Sequence, residues 1–95
     1  MPSMHLARVR HAACALGDSI FAICGAGEGQ YLNSIEMLDL KNLVAGWKLF
    51  NFSESALPPR DSHYAAVVSE NEIVIFGGHT SKGFSTDVVV YDCRA

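Results

Sequence analysis

The chain repeats itself at a spacing of 52 to 53 residues, and that period constrains its fold more than any local motif does. Arg8-Val9-Arg10-His11 falls on Arg60-Asp61-Ser62-His63 at an offset of 52. After one added residue near Asn71-Glu72 the offset is 53. Ile20-Phe21-Ala22-Ile23-Cys24-Gly25 then falls on Ile73-Val74-Ile75-Phe76-Gly77-Gly78, and Met37-Leu38-Asp39 on Val90-Tyr91-Asp92. An insertion between two apolar runs is what a hairpin turn tolerates. Periods of about 50 residues point to radial or solenoid arrays, in which each unit buries its apolar faces against its neighbours.

Within each copy the local pattern is β. Ala12 to Leu16 and Ile20 to Ile23 are short apolar runs separated by Gly17-Asp18-Ser19, and their equivalents Tyr64 to Val68 and Ile73 to Phe76 flank Ser69-Glu70-Asn71. Short Val- and Ile-rich runs bounded by turn residues read as buried strands joined in hairpins. A third run, Ile35 to Leu40 and then Val88 to Tyr91, follows a polar, glycine-bearing loop in both copies. A fourth, Trp47 to Phe52, occurs in the first copy only.

This ordered series resembles the kelch family of β-propeller repeats: an Arg before the first strand, a hairpin, a Gly-Gly doublet, an aromatic-Asp pair and a later Trp. The second copy carries Arg60, Gly77-Gly78 and Tyr91-Asp92; the first has Cys24-Gly25 and Leu38-Asp39 at those places but supplies Trp47. The resemblance implies an all-β fold, a partial kelch-type propeller of about two four-stranded antiparallel blades, the second lacking its last strand. It divides the chain into the tail of a preceding repeat (1–7), a first repeat (8–59) and a truncated second repeat (60–95). Gly25, Asp39, Trp47, Gly77, Gly78, Tyr91 and Asp92 are the structural positions it marks.

The doublet also has a physical reading. A buried strand that turns sharply beside a neighbouring sheet needs a residue that reaches φ > 0 with no side chain in the way. Gly77-Gly78 fits, and in the first copy the expectation is that Cys24 keeps an ordinary β backbone and leaves the turn to Gly25.

Length and composition narrow the function classes. Ninety-five residues allow one small domain and no separate substrate domain. Ten acidic against seven basic side chains leave no basic stripe for a run of phosphates, so nucleic acid is not an expected partner. The apolar run after Arg8 and Arg10 is five residues long, too short for a secretory core or a membrane span, and no membrane association is expected. Three cysteines, Cys14, Cys24 and Cys93, lack CxxC spacing, which favours a reducing compartment and a cytoplasmic location.

Competing motifs are weaker. Cys24-Gly25-Ala26-Gly27-Glu28-Gly29 could open a dinucleotide-binding turn, but Gln30 stands at the third glycine position and the repeat-equivalent 86–91 segment is β-branched. His11 and His63 share a repeat position, which reads as a strand-start residue bonding locally; His5 and His79 lack metal-ligand spacing. Ser62 and the cysteines have no identifiable base beside them, and Asp39 and Asp92 are explained by Asx-type turns. No catalytic residue, metal or cofactor is expected.

If the strands run as antiparallel A, B, C and D, the B–C loops (26–33 and 79–85) and the D–A loop (53–59) share one rim of the fold. Loops held on a rigid scaffold concentrate binding residues. In kelch proteins such a rim commonly docks a protein or peptide. The resemblance therefore implies an interaction module, an adaptor or scaffold without chemistry of its own. Its contact candidates are Glu28, Tyr31, Arg60, His79, Lys82 and Phe84, with Arg60 and the aromatics first because such residues dominate interface energy. The alternative is a piece of a kelch-propeller enzyme, such as a galactose-oxidase-like copper oxidase or a sugar-processing enzyme. Two blades would leave apolar faces uncovered, so self-association or completion by further blades is a further expectation.

Overall fold

The computed structural model describes residues 3–93. Eleven strands and one short 3₁₀ turn, Leu43–Ala45, are present among them. Strands β1 (Ala12–Leu16), β2 (Ser19–Ile23), β5 (Ile35–Asp39) and β6 (Trp47–Phe50) form a four-stranded antiparallel sheet in the order β1-β2-β5-β6. Strands β7 (Tyr64–Val67), β8 (Glu72–Phe76) and β11 (Val88–Asp92) form a three-stranded antiparallel sheet ordered β11-β8-β7. These are the expected blades, one complete and one with three strands. No helix among the described residues is long and apolar enough to cross a membrane.

Two small hairpins fill the B–C loops and were not evident from the sequence: β3 (Ala26–Gly27) with β4 (Gln30–Tyr31), and β9 (His79–Thr80) with β10 (Gly83–Phe84). The first turns on Glu28-Gly29, whose φ angles of 51° and 80° are the two consecutive positive values of a type I′ hairpin.

Strand alternation decides how the blades meet. Phe21, Ile23 and Ile35 of the first blade project toward Ile73 and Ile75 of the second, and Leu57 from the D–A loop closes the cluster. Tyr91 packs edge-on against Phe21 and Phe52, with ring centroids 6.2 and 5.7 Å apart. On the repeat offsets, the first-blade residues in this interface correspond to Val74, Phe76 and Val88, which lie on the opposite, open face of the second blade. That face carries Tyr64 stacked on Phe76 and leaves Val88 and Val90 exposed.

Each repeat is tied by an arginine. Arg8 Nη1 donates to the carbonyls of Cys24 (2.9 Å) and Ser34 (3.1 Å), while Nη2 donates to Glu36 at 2.7 Å. Arg60 repeats the device: its guanidinium donates to the Gly77 carbonyl at 3.3 Å and in two bonds of 2.8 Å to Asp87. The backbone just after each arginine pairs with the start of the B–C hairpin, Val9 with Ala26 and Asp61 with His79.

That pairing explains the doublet. A Cβ on Gly78 would stand 2.5 Å from the Asp61 carbonyl oxygen and 2.8 Å from the His63 Cβ; on Gly25 it would meet the Val9 oxygen and the His11 Cβ, both at 2.8 Å. Gly77, at φ 73°, has open space around it. Cys24 does not keep a β backbone: it sits at φ 55°, in the left-handed region, so both positions of the first doublet turn. The expectation fails because the strand must leave the sheet one residue earlier, as its repeat equivalent Gly77 also does.

Candidate functional site

The rim formed by the B–C hairpins and the D–A loop carries two open pockets. The first, about 460 Å³, lies where the β3–β4 hairpin meets both lead-in segments. Glu28 and Tyr31 line it from the hairpin, Val9 and Arg10 from the first lead-in and Asp61 from the second. Arg10 crosses between repeats to donate from Nε to Asp61 Oδ2 at 2.8 Å, its own side chain 59% exposed while that of Asp61 is buried. Arg10 and Ser62 both hold positive φ, 52° and 55°, and the Ser62 amide donates to the Arg10 carbonyl at 2.8 Å. The lead-ins are thus locked together, and the pocket floor is rigid.

The second pocket, about 510 Å³, runs between the D–A loop (Glu54, Ser55, Pro58, Pro59) and the β9–β10 hairpin with its exit, including Lys82 and Asp87. At the base of that hairpin, where His79 pairs with Phe84, the two rings meet edge-to-face with centroids 4.5 Å apart, and Phe84 is 84% exposed.

Of the six contact candidates, Glu28 and Tyr31 share the first pocket, Lys82 lies in the second, and His79 and Phe84 face each other at the base of the β9–β10 hairpin. Arg60 is corrected: its side chain is fully buried and committed to Asp87, Gly77 and Pro58, so it is a strut beneath the rim and not a contact. The Arg60 hydrogen bonds hold the Asp87 carboxyl below the ordinary Asp range, overcoming partial burial. Burial would push Glu36 up, but hydrogen bonds from Arg8 and from the His5 and Leu6 amides outweigh it and lower it.

Arg10 and Asp61 were missed, although their charges occupy neighbouring lead-in positions of the two copies and that pairing was the available signal. Asp39 does form the expected Asx turn, accepting from the Lys41 amide at 2.9 Å. His63 departs from expectation. Buried at the second lead-in, neither of its ring nitrogens has a hydrogen-bond partner within bonding geometry, and burial lowers its pKa to about 4. Burial likewise raises the Cys24 thiol to about 12, which suits an inert core residue. Among the described residues no three His, Cys, Asp or Glu side chains gather into a set that could hold a metal ion.

The sequence matches the family described as the KLHDC2/KLHL20/DRC7 Kelch-repeats domain over residues 2–95. The chain belongs to the kelch-repeat family. It is 33% identical to Kelch-like protein 36 of Mus musculus over 97% of its length, and equally to that of Rattus norvegicus. Acyl-CoA-binding domain-containing protein 5 of Arabidopsis thaliana is 29% identical over 90% of the chain. The kelch match extends across both blades, yet the chain spans only about 15% of the length of these relatives.

Proposed function

We propose that this kelch chain is a protein-interaction module, an adaptor or scaffold surface without catalytic activity of its own, working in the reducing setting of the cytoplasm. One observation carries the reading. Two hairpins at equivalent repeat positions are fixed from below by buried arginine struts and present Tyr31 and Glu28 on one and Phe84 with His79 on the other. Rigid aromatic groups beside pockets supply contact area at little entropic cost, which is what a protein or peptide partner uses. Neither pocket is lined by a run of basic residues.

The test is recovery of cross-linked partners from cell extract by the purified chain and by Tyr31→Ala and Phe84→Ala variants. Loss of specific partners with a melting temperature within about 2 °C of the parent supports the reading. Unchanged recovery by the double variant refutes it.

A further inference from the structure

The geometry points to the first rim pocket as a subsite for one cationic side chain of a protein partner, an arginine, whose guanidinium sits between Glu28 and Asp61 against the Tyr31 ring. The subsite rests on the rim reading above and narrows the partner to one that presents an exposed basic residue.

The charges of the pocket set its sign. Arg10, Glu28 and Asp61 are the charged residues in its wall. The positive charge of Arg10 is already engaged by Asp61, through a single bond from Nε at 2.8 Å. Glu28 has no ion pair or side-chain hydrogen bond among the described residues, so its carboxylate is the uncompensated charge. The hairpin turn Glu28-Gly29 fixes the point from which that carboxylate projects.

A second, independent observation concerns donors. The Asp61 side chain is 4% exposed; its Oδ2 accepts from Arg10, while its Oδ1 is buried with no hydrogen-bond donor among the described residues. A buried carboxylate oxygen left without a donor carries the full penalty of its lost hydration. The pocket floor therefore lacks donors, which a guanidinium supplies and a carboxylate does not. Arg10, 59% exposed and tethered by Nε alone, can slide aside to admit it. An anion entering there would meet Glu28 uncompensated and lie over a second carboxylate.

The rest of the wall suits the stem of the same side chain. Val9, Ala26 and Tyr31 offer apolar surface to its methylenes, and the ring face of Tyr31 attracts the cation. The planar fork of arginine engages a carboxylate through two bonds and stacks on a ring, which the point charge of lysine does not. The repeat shows that the charge is particular to this hairpin. At the offset of 53 Tyr31 falls on Phe84, another aromatic, but Glu28 falls on Ser81. In the second pocket both carboxylate oxygens of Asp87 already accept from Arg60. The aromatic is common to the two hairpins, and the cation subsite belongs to the first.

The experiment titrates the isotopically labelled 95-residue chain with acetyl-Gly-Arg-Gly-amide, and with the same tripeptide carrying lysine, citrulline or glutamate at its centre. The arginine peptide should shift the amides of Val9, Arg10, Ala26 to Tyr31 and Asp61 saturably. It should bind at least tenfold more tightly than the citrulline peptide, which keeps the shape without the charge, and the lysine peptide should fall between them. Salt at about 0.5 M should remove most of that difference. Glu28→Gln should weaken the arginine peptide about tenfold with the melting temperature unchanged, because the Glu28 carboxylate holds no bond in the free chain. Equal affinity of the arginine and citrulline peptides overturns the proposal, as does tighter binding of the glutamate peptide at these amides, or no shift there at millimolar peptide. Partner recovery separates the two readings. Partners lost by Tyr31→Ala but retained by Glu28→Gln leave the rim standing and refute the cation subsite; partners retained by the Tyr31→Ala, Phe84→Ala double variant refute both.

Discussion

The doublet glycines give the sharpest stability test, because the four positions differ in known ways. Gly78→Ala places a methyl 2.5 Å from the Asp61 carbonyl, at a backbone φ of 92°. That carbonyl cannot retreat freely, since Asp61 and His79 exchange hydrogen bonds of 3.0 and 2.8 Å. A left-handed backbone costs alanine about 1 kcal/mol. The clash adds overpacking of about 1–3 kcal/mol, and loosening one of the paired bonds adds about 1 more. The sum is about 3–5 kcal/mol. Gly77→Ala bears the conformational term alone, about 1 kcal/mol, because nothing stands within 4 Å of its Cβ. Cys24→Ala keeps the backbone strain already present and loses only a buried sulfur, again about 1 kcal/mol. In a chain of this size each 1 kcal/mol moves the midpoint by about 4–8 °C. Thermal melts followed by far-ultraviolet circular dichroism should therefore put Gly78→Ala and Gly25→Ala about 8 °C or more below Gly77→Ala and Cys24→Ala. If the first pair does not fold at room temperature, urea titration at 5 °C with added osmolyte gives the same ordering. Equal losses at all four positions would refute the close-approach argument.

Other outcomes follow from the buried groups. His63 is neutral when folded, with a pKa lowered to about 4, but protonates near 6.5 when unfolded; stability should thus fall as pH drops from 6.5 to 4, by up to about 3 kcal/mol. His63→Leu should flatten that limb in urea titrations, while the lowered Glu36 and Asp87 begin to lose their contribution only as pH enters the ordinary carboxylate range and lose it fully below that range. Arg60→Met should destabilise by about 1–3 kcal/mol, chiefly by leaving the Gly77 and Pro58 carbonyls without a donor, since the Asp87 side chain is 41% exposed, whereas Arg10→Met should cost at least as much although Arg10 is exposed, because it leaves the buried Asp61 carboxylate unpaired. Mass spectrometry after iodoacetamide treatment at pH 8 should find Cys24 unmodified in the folded chain and modified once denaturant is added.

The blades were legible because apolar runs of four to five residues alternate with compact turns and do so twice, so each copy checks the other. The small hairpins were not: strands of two residues in glycine-bearing loops leave no periodicity to read. Arg60 was misread because an arginine beside a loop looks the same whether it points outward or inward. Its partner Asp87 lies 27 residues away and has Ser34, not an acid, as its repeat equivalent, while Arg8 finds its carboxylate two residues later at Glu36. The left-handed Cys24 could have been found, since its repeat equivalent is glycine. Exposure of Phe84 and the Arg10–Asp61 bridge depend on how lead-ins and hairpins pack, which no single segment encodes.

The central claim is that the rim of hairpins is the working surface. Hydrogen exchange on the chain, free and bound to a protein partner recovered by cross-linking, tests it most directly. The account predicts slowed exchange on binding in the hairpins spanning 26–31 and 79–84. Protection confined to the opposite turns around Gly17 and Ser69, with both hairpins unchanged, would contradict it.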